Sequence, residues 1–343
     1  MTRLSNVVYA GTILLSWCAA AAADVLPAPS INVTLPPPSA NAFSVSHAFG
    51  PADGLLYVWD GAQVLRQSAP LSNSFTSIGN VGSGSADAGP LEFSRNGSEL
   101  LIGNGAGGLL GGGNSGQIFT IPTAGGNSNT AVGNVPFHDR FLAAPLGASN
   151  NKFFIDQGNA SFSASSVSVF DNTDGSNVPV IANIPGASTA MAIDALGQFY
   201  VGVGFGPQAG QLRSFALADL ESAYNTSTPL EWTAGNLFNS TNNNSGAGMF
   251  FDARGYLFVG GPLGIAVFDS AGNSNFYDNG DYTSIAYDSV NDRVFVTGFG
   301  DQQGLYPASL FQVPEPSTVL LAGLGLLTFA PAARRRLRRR LGA

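Results

Sequence analysis

Between residues 43 and 312 apolar and polar positions alternate in short runs, broken by clusters of Gly, Asn, Asp and Ser. Period two over four to six residues marks a β-strand, and the breakers mark turns. The runs repeat as a unit. Residues 191–202 read Met-Ala-Ile-Asp-Ala-Leu-Gly-Gln-Phe-Tyr-Val-Gly, and residues 249–260 read Met-Phe-Phe-Asp-Ala-Arg-Gly-Tyr-Leu-Phe-Val-Gly. A third copy, 285–298, reads Ile-Ala-Tyr-Asp-Ser-Val-Asn-Asp-Arg-Val-Phe-Val-Thr-Gly. Weaker copies occupy 47–59, 91–103 and 142–156. Each predicts a hairpin. Asp194, Asp252 and Asp288 open the turn, where a carboxylate accepts backbone N–H groups. Gly197, Gly255 and Asn291 follow, residue types that tolerate φ > 0.

A further strand follows most copies, at 116–121, 166–171, 211–215, 264–269 and 309–312. The unit is a hairpin plus at least one more strand, enough for a four-stranded blade. The turn residues Gly54, Gly97, Asn151, Gly197, Gly255 and Asn291 lie 43, 54, 46, 58 and 36 residues apart. Their mean, about 47, falls in the range of propeller blades. The pattern therefore predicts an all-β, six-bladed β-propeller over 43–312, with a two-sheet β-sandwich as the alternative. The blade pattern, Asp-x-x-Gly before an aromatic-Val strand, resembles that of NHL-type and gluconolactonase-like six-bladed propellers. That resemblance covers most of 43–312 and concerns the blades, not an active site.

The last blade is short of a strand. It is expected to use 285–287, 293–297 and 309–312, three strands where four are needed to leave no open edge. Residues 24–42 are rich in Pro and expected to be extended and partly loose. Within them 30–35, Ser-Ile-Asn-Val-Thr-Leu, alternates and is the candidate for the closing strand.

Both ends of the chain carry targeting patterns. Residues 1–23 combine Arg3, an apolar run from Val7 to Trp17 and a string of alanines. They read as a secretory signal peptide cleaved between Ala23 and Asp24. Cys18 is the single cysteine, and bulky Trp17 just before it argues against lipid attachment there. At the other end, Val313, Pro314, Glu315, Pro316 and Ser317 precede an uncharged span, 318–333, and then Arg334, Arg335, Arg336, Arg338, Arg339 and Arg340. Sixteen residues make a helix of roughly 24 Å. That is short for a bilayer core of about 30 Å, but flanking arginines snorkel and bilayers thin. The arginines hold the tail on the cytoplasmic side and place the body outside.

This tail resembles the PEP-CTERM sorting signal of Gram-negative bacteria, with all three parts present in order. The resemblance implies recognition by an exosortase, a membrane-embedded cysteine transpeptidase-like partner, and removal of the tail near the Pro-Glu-Pro strip. It also implies an inner-membrane helix before processing and a cell-envelope, cell-surface or extracellular destination after it.

Charge sharpens the picture of the body. Of 14 basic residues, Arg3 and the six tail arginines lie outside it, whereas 21 of the 22 acidic residues lie within. The body is near −14, which disfavours nucleic acid and anionic lipid as partners.

Candidate chemistry is sparse. His47 and His138 are far apart and read as loop or edge residues. The glycine-rich run 105–113 lacks the Lys-Ser/Thr of a phosphate loop. Residues 171–175 and 278–281 have the residue types of Ca²⁺ loops without EF-hand spacing, so tight turns explain them better. Gluconolactonase-like enzymes hold a divalent metal with Glu, Asn and Asp from several blades, and no matching Glu opens the first blade here. No catalytic residue, cofactor or metal ligand is assigned. The sequence thus reads as an exported, non-enzymatic propeller that binds or scaffolds, associated with exopolysaccharide. The alternative is an extracellular lactonase-like or lyase-like propeller enzyme.

Overall fold

The computed structural model describes residues 24–38, 46–82, 89–104, 116–159, 161, 163–187, 190–240, 248–278, 283–298 and 304–313. The expected signal peptide, the glycine-rich run, 279–281 and everything from Pro314 onward, including the sorting strip, apolar span and arginine block, lie outside them. Among the described residues no helix is long and apolar enough to cross a membrane.

Six antiparallel sheets follow one another along the chain. Strand β1 is Asp24–Val25. Blade 1 is β2 (Ser46–Phe49), β3 (Leu56–Trp59), β4 (Gln63–Gln67) and β5 (Phe75–Asn80). Blade 2 is β6 (Leu91–Phe93), β7 (Glu99–Gly103), β8 (Gln117–Pro122) and β9 (Gly133–Asn134). Blade 3 is β10 (Phe141–Ala143), β11 (Lys152–Gly158), β12 (Ser165–Asp171) and β13 (Ser176–Ile184). Blade 4 is β14 (Ala190–Ile193), β15 (Gln198–Gly202), β16 (Gln211–Ala216) and, after β17 (Leu230–Glu231), β18 (Asn236–Ser240). Blade 5 is β19 (Gly248–Phe251), β20 (Leu257–Gly261), β21 (Gly264–Phe268) and β22 (Ser274–Asp278). Blade 6 is β23 (Thr283–Asp288), β24 (Arg293–Gly298) and β25 (Gly304–Pro307).

The first strand of each blade touches the first strand of the next, and β23 returns to β2, so the innermost strands close a ring. This is a six-bladed propeller and not a two-sheet sandwich. The core explains why period two specifies it. Alternate side chains of a strand point to opposite faces, and here each face abuts a neighbouring blade. Along β3, Leu56 and Val58 join the cluster at the seam with blade 6, while Tyr57 and Trp59 join the seam with blade 2. Six buried clusters fill the six seams.

Antiparallel order also gives the ring two rims. The turns between first and second strands, and between third and fourth, lie on one rim, called lower here. The turns between second and third strands and the links between blades lie on the upper rim.

Three features depart from the sequence reading. The third strand of blade 6 is β25, not 309–312. Residues Ala308–Leu310 form a 3₁₀ turn, with Pro307 ending the strand, and the chain then runs to the seam of blades 5 and 6. An α-helix, α1 (Leu217–Thr226), interrupts blade 4, burying Leu220 and Ala223 against blade 3 and ending at Ser227 in a left-handed conformation. Blades 3 and 5 each gain a fifth, parallel strand: β17 beside β13, and β1 beside β22.

Residues 24–35 are docked rather than loose. Beyond β1, Leu26 is buried in the seam of blades 5 and 6. Tyr306 Oη donates to Pro27 O at 3.3 Å. Ile31 bridges Leu305 antiparallel, with Leu305 N donating to Ile31 O at 2.8 Å and Ser30 Oγ to Leu305 O at 2.6 Å. Val33 is buried at the seam of blades 6 and 1, with Ile31 and Leu35 packed beside it. The segment borders β25 as a single bridge rather than a full strand, and it straps blades 5, 6 and 1 together.

Candidate functional site

The repeated turn residues gather on the lower rim. Asp194 Oδ1 accepts the amides of Leu196 and Gln198 at 2.9 and 2.8 Å. Asp252 Oδ1 does the same for Arg254 and Tyr256 at 2.9 Å each. Gly197 and Gly255 sit at φ of 79° and 82°, the left-handed region their turns require. In blade 6, Asp288 Oδ1 accepts from Val290 and Asn291 at 3.1 Å each, and Asn291 Nδ2 donates to Asp288 Oδ2 at 2.8 Å. The turn is one residue longer there, so the positive φ falls on Asp292 (51°) and not on Asn291. In the hairpin of blade 3 it falls on Gly147 rather than Asn151. Asp252 also binds the Arg254 guanidinium at 2.6 Å, and Arg254 reaches on to Ala308 O. These carboxylates are fully occupied in building turns. The 171–175 segment is likewise a turn, with Asp171 Oδ1 accepting from Thr173 and Asp174 Oδ1 from Ser176, each at 2.9 Å.

Unassigned polar chemistry lies instead near the upper end of the ring, at the starts of the innermost strands. Arg140 immediately precedes β10. Its amide and that of Asp139 both donate to Asp156 Oδ1, at 2.6 and 2.8 Å, and its guanidinium donates to Asp139 O at 2.8 Å. Asp156 is buried in β11, directly beside this link. Burial, reinforced by the charge of Asp139, pushes its carboxyl well above the usual range. In blade 2, Glu92 lies on the innermost strand β6 and is half-buried. Burial pushes it up to about 7.

His47, on β2, packs edge-on against Phe295 of blade 6, ring centroids 5.1 Å apart. Burial first, and the positive charge of Arg140 second, push it down to about 4, so its ring is neutral. Both ring nitrogens are buried without a hydrogen-bond partner among the described residues. His138, in the link to blade 3, is fully buried, with Nδ1 against Val135 O and its ring stacked on Phe141. Sequence reasoning had placed both histidines at loops or edges. His138 is in a loop, but inside the core, and His47 is on an innermost strand.

Arg140, Asp156 and Glu92 carried no signal in the sequence, because blades 2 and 3 supply them from separate repeats. Among the described residues no three His, Cys, Asp or Glu side chains converge in a way that could hold a metal ion.

A second functional region lies on the outside of the seam between blades 5 and 6. Here the body delivers the chain to its C-terminal tail. Gln312 N donates to Tyr277 Oη at 2.7 Å, and Tyr277 Oη donates back to Gln312 O at 3.1 Å. Asn275 Nδ2 adds a bond to the same carbonyl at 3.1 Å. Val313 is buried among the side chains of the seam. Tyr277 is also the register partner of Asp24, so the first and last described residues of the chain meet on one strand.

Residues 312–339 match the PEP-CTERM protein-sorting motif. No curated protein matches the chain. Among solved structures, a gluconolactonase from Xanthomonas campestris, XC5397, superposes with a TM-score of 0.53 at 16% identity, over 80% of this chain and 96% of that one. Regucalcin from Agrobacterium tumefaciens, described as a calcium-binding protein, gives 0.56 at 14% identity, over 80% and 88%. A luciferin-regenerating enzyme gives 0.53 at 11%, over 80% and 91%. At such identities the likeness is one of fold. The chain thus combines a gluconolactonase-like six-bladed body with a C-terminal sorting motif, and that motif implies export to the cell envelope or surface and handling by an exosortase-type enzyme.

Proposed function

We propose that this protein is a non-enzymatic propeller that binds or scaffolds in the cell envelope or extracellular matrix, associated with exopolysaccharide. The observation that carries the reading is the pairing of a sorting motif with a body whose recurring turn carboxylates and several of whose cations are spent on its own structure. Asp194, Asp252 and Asp288 build turns. Among the cations, Arg66 pairs with Asp53, Arg254 with Asp252, Lys152 caps the Tyr224 ring and Arg213 the Trp232 ring. The remaining surface is acidic and rich in Asn, Ser, Thr and Gly, a composition suited to hydroxyl-rich ligands and to staying soluble.

The test is binding of the purified mature body to exopolysaccharide from its own host, by co-sedimentation and calorimetry. Saturable binding that survives chelation of divalent metal supports the proposal. No binding to host polysaccharide, with turnover of a sugar lactone, overturns it in favour of a lactonase-like enzyme. One observation favours that second reading: Glu92, on an innermost strand and pushed by burial up to about 7, has the character of a general acid or base. Glu92→Gln would then abolish turnover.

The sorting reading is tested separately. Glu315→Gln, or replacement of Pro314 and Pro316, leaves the apolar span and arginines intact. It is expected to allow membrane insertion but block maturation. Mass spectrometry of the mature chain reads the outcome, and an intact C-terminus through Ala343 in a host with the sorting enzyme sinks the idea.

A further inference from the structure

The sorting motif begins at residue 312, and Gln312 and Val313 are packed against the body. Gln312 and Val313 therefore belong to both. Gln312 is held by two bonds to one hydroxyl and a third to Asn275. Val313 retains 5% exposure and shares its cluster with Leu26, Tyr277 and Phe311. No linker separates the core from the Pro-Glu-Pro strip.

We propose that the blade 5–6 seam masks the leading edge of the sorting motif, and that tail removal proceeds through local release of Gln312 and Val313 from the seam. This rests on the tail being a processed signal. The reasoning is steric. An enzyme that reads an extended strip grips it along its backbone and places alternate side chains in pockets. A valine buried in the substrate's own core, preceded by an amide bonded to Tyr277, cannot enter such a cleft. It must first leave the seam. Chain ends and other weakly held segments open locally without global unfolding, and these two residues are held by few bonds at the end of the body. The rate of tail removal is then set by the fraction of time the seam is open.

The N-terminal strap belongs to the same device. Asp24 pairs with Tyr277, and Leu26 N donates to Asp278 O at 3.1 Å. The seam that holds Val313 is complete only when residues 24–26 are in place. The body therefore masks the motif fully only once its own N-terminal segment has docked.

Three full-length variants test this by pulse-chase in the host, following loss of a C-terminal epitope. Tyr277→Phe keeps the ring against Phe311, at 5.0 Å between centroids, but removes the hydroxyl. It is expected to speed tail removal about five- to tenfold, the effect of losing one or two modest hydrogen bonds. Amide exchange of Gln312 in the membrane-extracted protein should accelerate by a similar factor. A second variant inserts Gly-Ser-Gln-Val after Val313. It leaves the docked pair in place and offers the enzyme an unmasked copy. Its tail should be removed fastest, and Tyr277→Phe should add nothing in that background. The third, Glu315→Gln, reports on the sorting reading alone. The proposal is overturned if Tyr277→Phe accelerates exchange at Gln312 while tail removal is unchanged or slower. It is equally overturned if Tyr277→Phe still matters in the spacer background. Tail removal that persists with Glu315→Gln instead indicts the sorting reading and leaves the seam contact as a structural one.

Discussion

Truncating the strap tests whether residues 24–35 are a structural part of the propeller. Leu26 is 3% exposed in the seam of blades 5 and 6, and Val33 is 1% exposed in the seam of blades 6 and 1. Leu26→Ala removes a buried isobutyl group and leaves a cavity, a loss of about 2–5 kcal/mol. Val33→Ala removes two methyl groups and costs about 1.5–2.5 kcal/mol. For a body of this size each kcal/mol lowers Tm by about 2–3 °C, so Leu26→Ala is expected to lower it by about 4–15 °C. Those costs have a ceiling. If the weakened strap lets go, the penalty stops at what the docked strap contributes, and the second substitution adds nothing. Calorimetry of the two single variants, the double variant and a body lacking residues 24–38 separates the cases. An additive double variant means the strap stays docked, since the two side chains lie in different seams. A double variant equal to the deletion means it detaches. Equal melting temperatures for the deletion and the full body would refute the reasoning altogether.

Asp252 and Asp194 build the same turn at different depths, so Asp252→Ala, which strips a fully buried carboxylate from two amides and Arg254, is expected to cost about 3 kcal/mol, against about 1 kcal/mol for Asp194→Ala; denaturant titration compares them. Glu92 holds its proton up to about 7 in the folded body but releases it near its ordinary value when unfolded. The body therefore loses stability as pH rises from about 4.5 to 7, by at most about 3 kcal/mol and less for its partial exposure, and Glu92→Gln flattens that slope in Tm against pH. His47 acts in the opposite sense: its folded value, near 4, lies below the ordinary 6.5, so it destabilises the body as pH falls through that window. Arg140→Gln removes the lesser cause and should raise the His47 value without restoring it to 6.5, which an NMR titration measures. Neutralising the six tail arginines is expected to let the tail pass through the membrane and release full-length protein, read as loss from the membrane fraction.

The blades were legible because both seams of a blade are apolar, so short apolar runs, such as Leu-Tyr-Val-Trp in β3, and the Asp-containing turns recur with each copy. Blade 6 shows the limit of that signal. Ser309, Leu310, Phe311 and Gln312 read as the short strand that follows a hairpin, but Pro307 has already ended the sheet, and Phe311 turns into the seam with blade 5. The alternation of Ile31, Val33 and Leu35 suggested a closing strand for the last blade, and the segment does meet blade 6, through one bridge from Ile31 to Leu305 on a strand the sequence reading had not placed. Its reach to blade 5 was not suggested, because β1 is two residues long and carries no period. Helix α1 was missed for a related reason: Leu217, Leu220, Ala223 and Tyr224 do keep a helical spacing, but over only ten residues directly after a strand. Glu92 sits between Leu91 and Phe93, a pattern that reads as an outward-facing strand residue. Only ring closure sets blade 3 beside that face and half-buries it.

The two rims and the outer seam divide the molecule's tasks. The lower rim is built from short turns whose carboxylates are satisfied by their own backbone, so little there is free to meet a ligand. The outer seam between blades 5 and 6 takes both the N-terminal strap and the exit to the tail, which keeps the chain ends away from the axis. What remains is the upper end of the ring, where the inter-blade links bring Arg140, Asp139 and Asp156 beside the innermost strands. Buried charge costs stability unless it is matched by neighbours, and the body has few cations to match with. At that end Asp156 accepts two amides of the link to blade 3 and a neutral His47 packs against Phe295, so the polar groups there are held by the inter-blade links rather than by tight turns. The ligand specificity of this propeller is therefore to be sought at the upper end, while its handling by the sorting enzyme is decided at the seam.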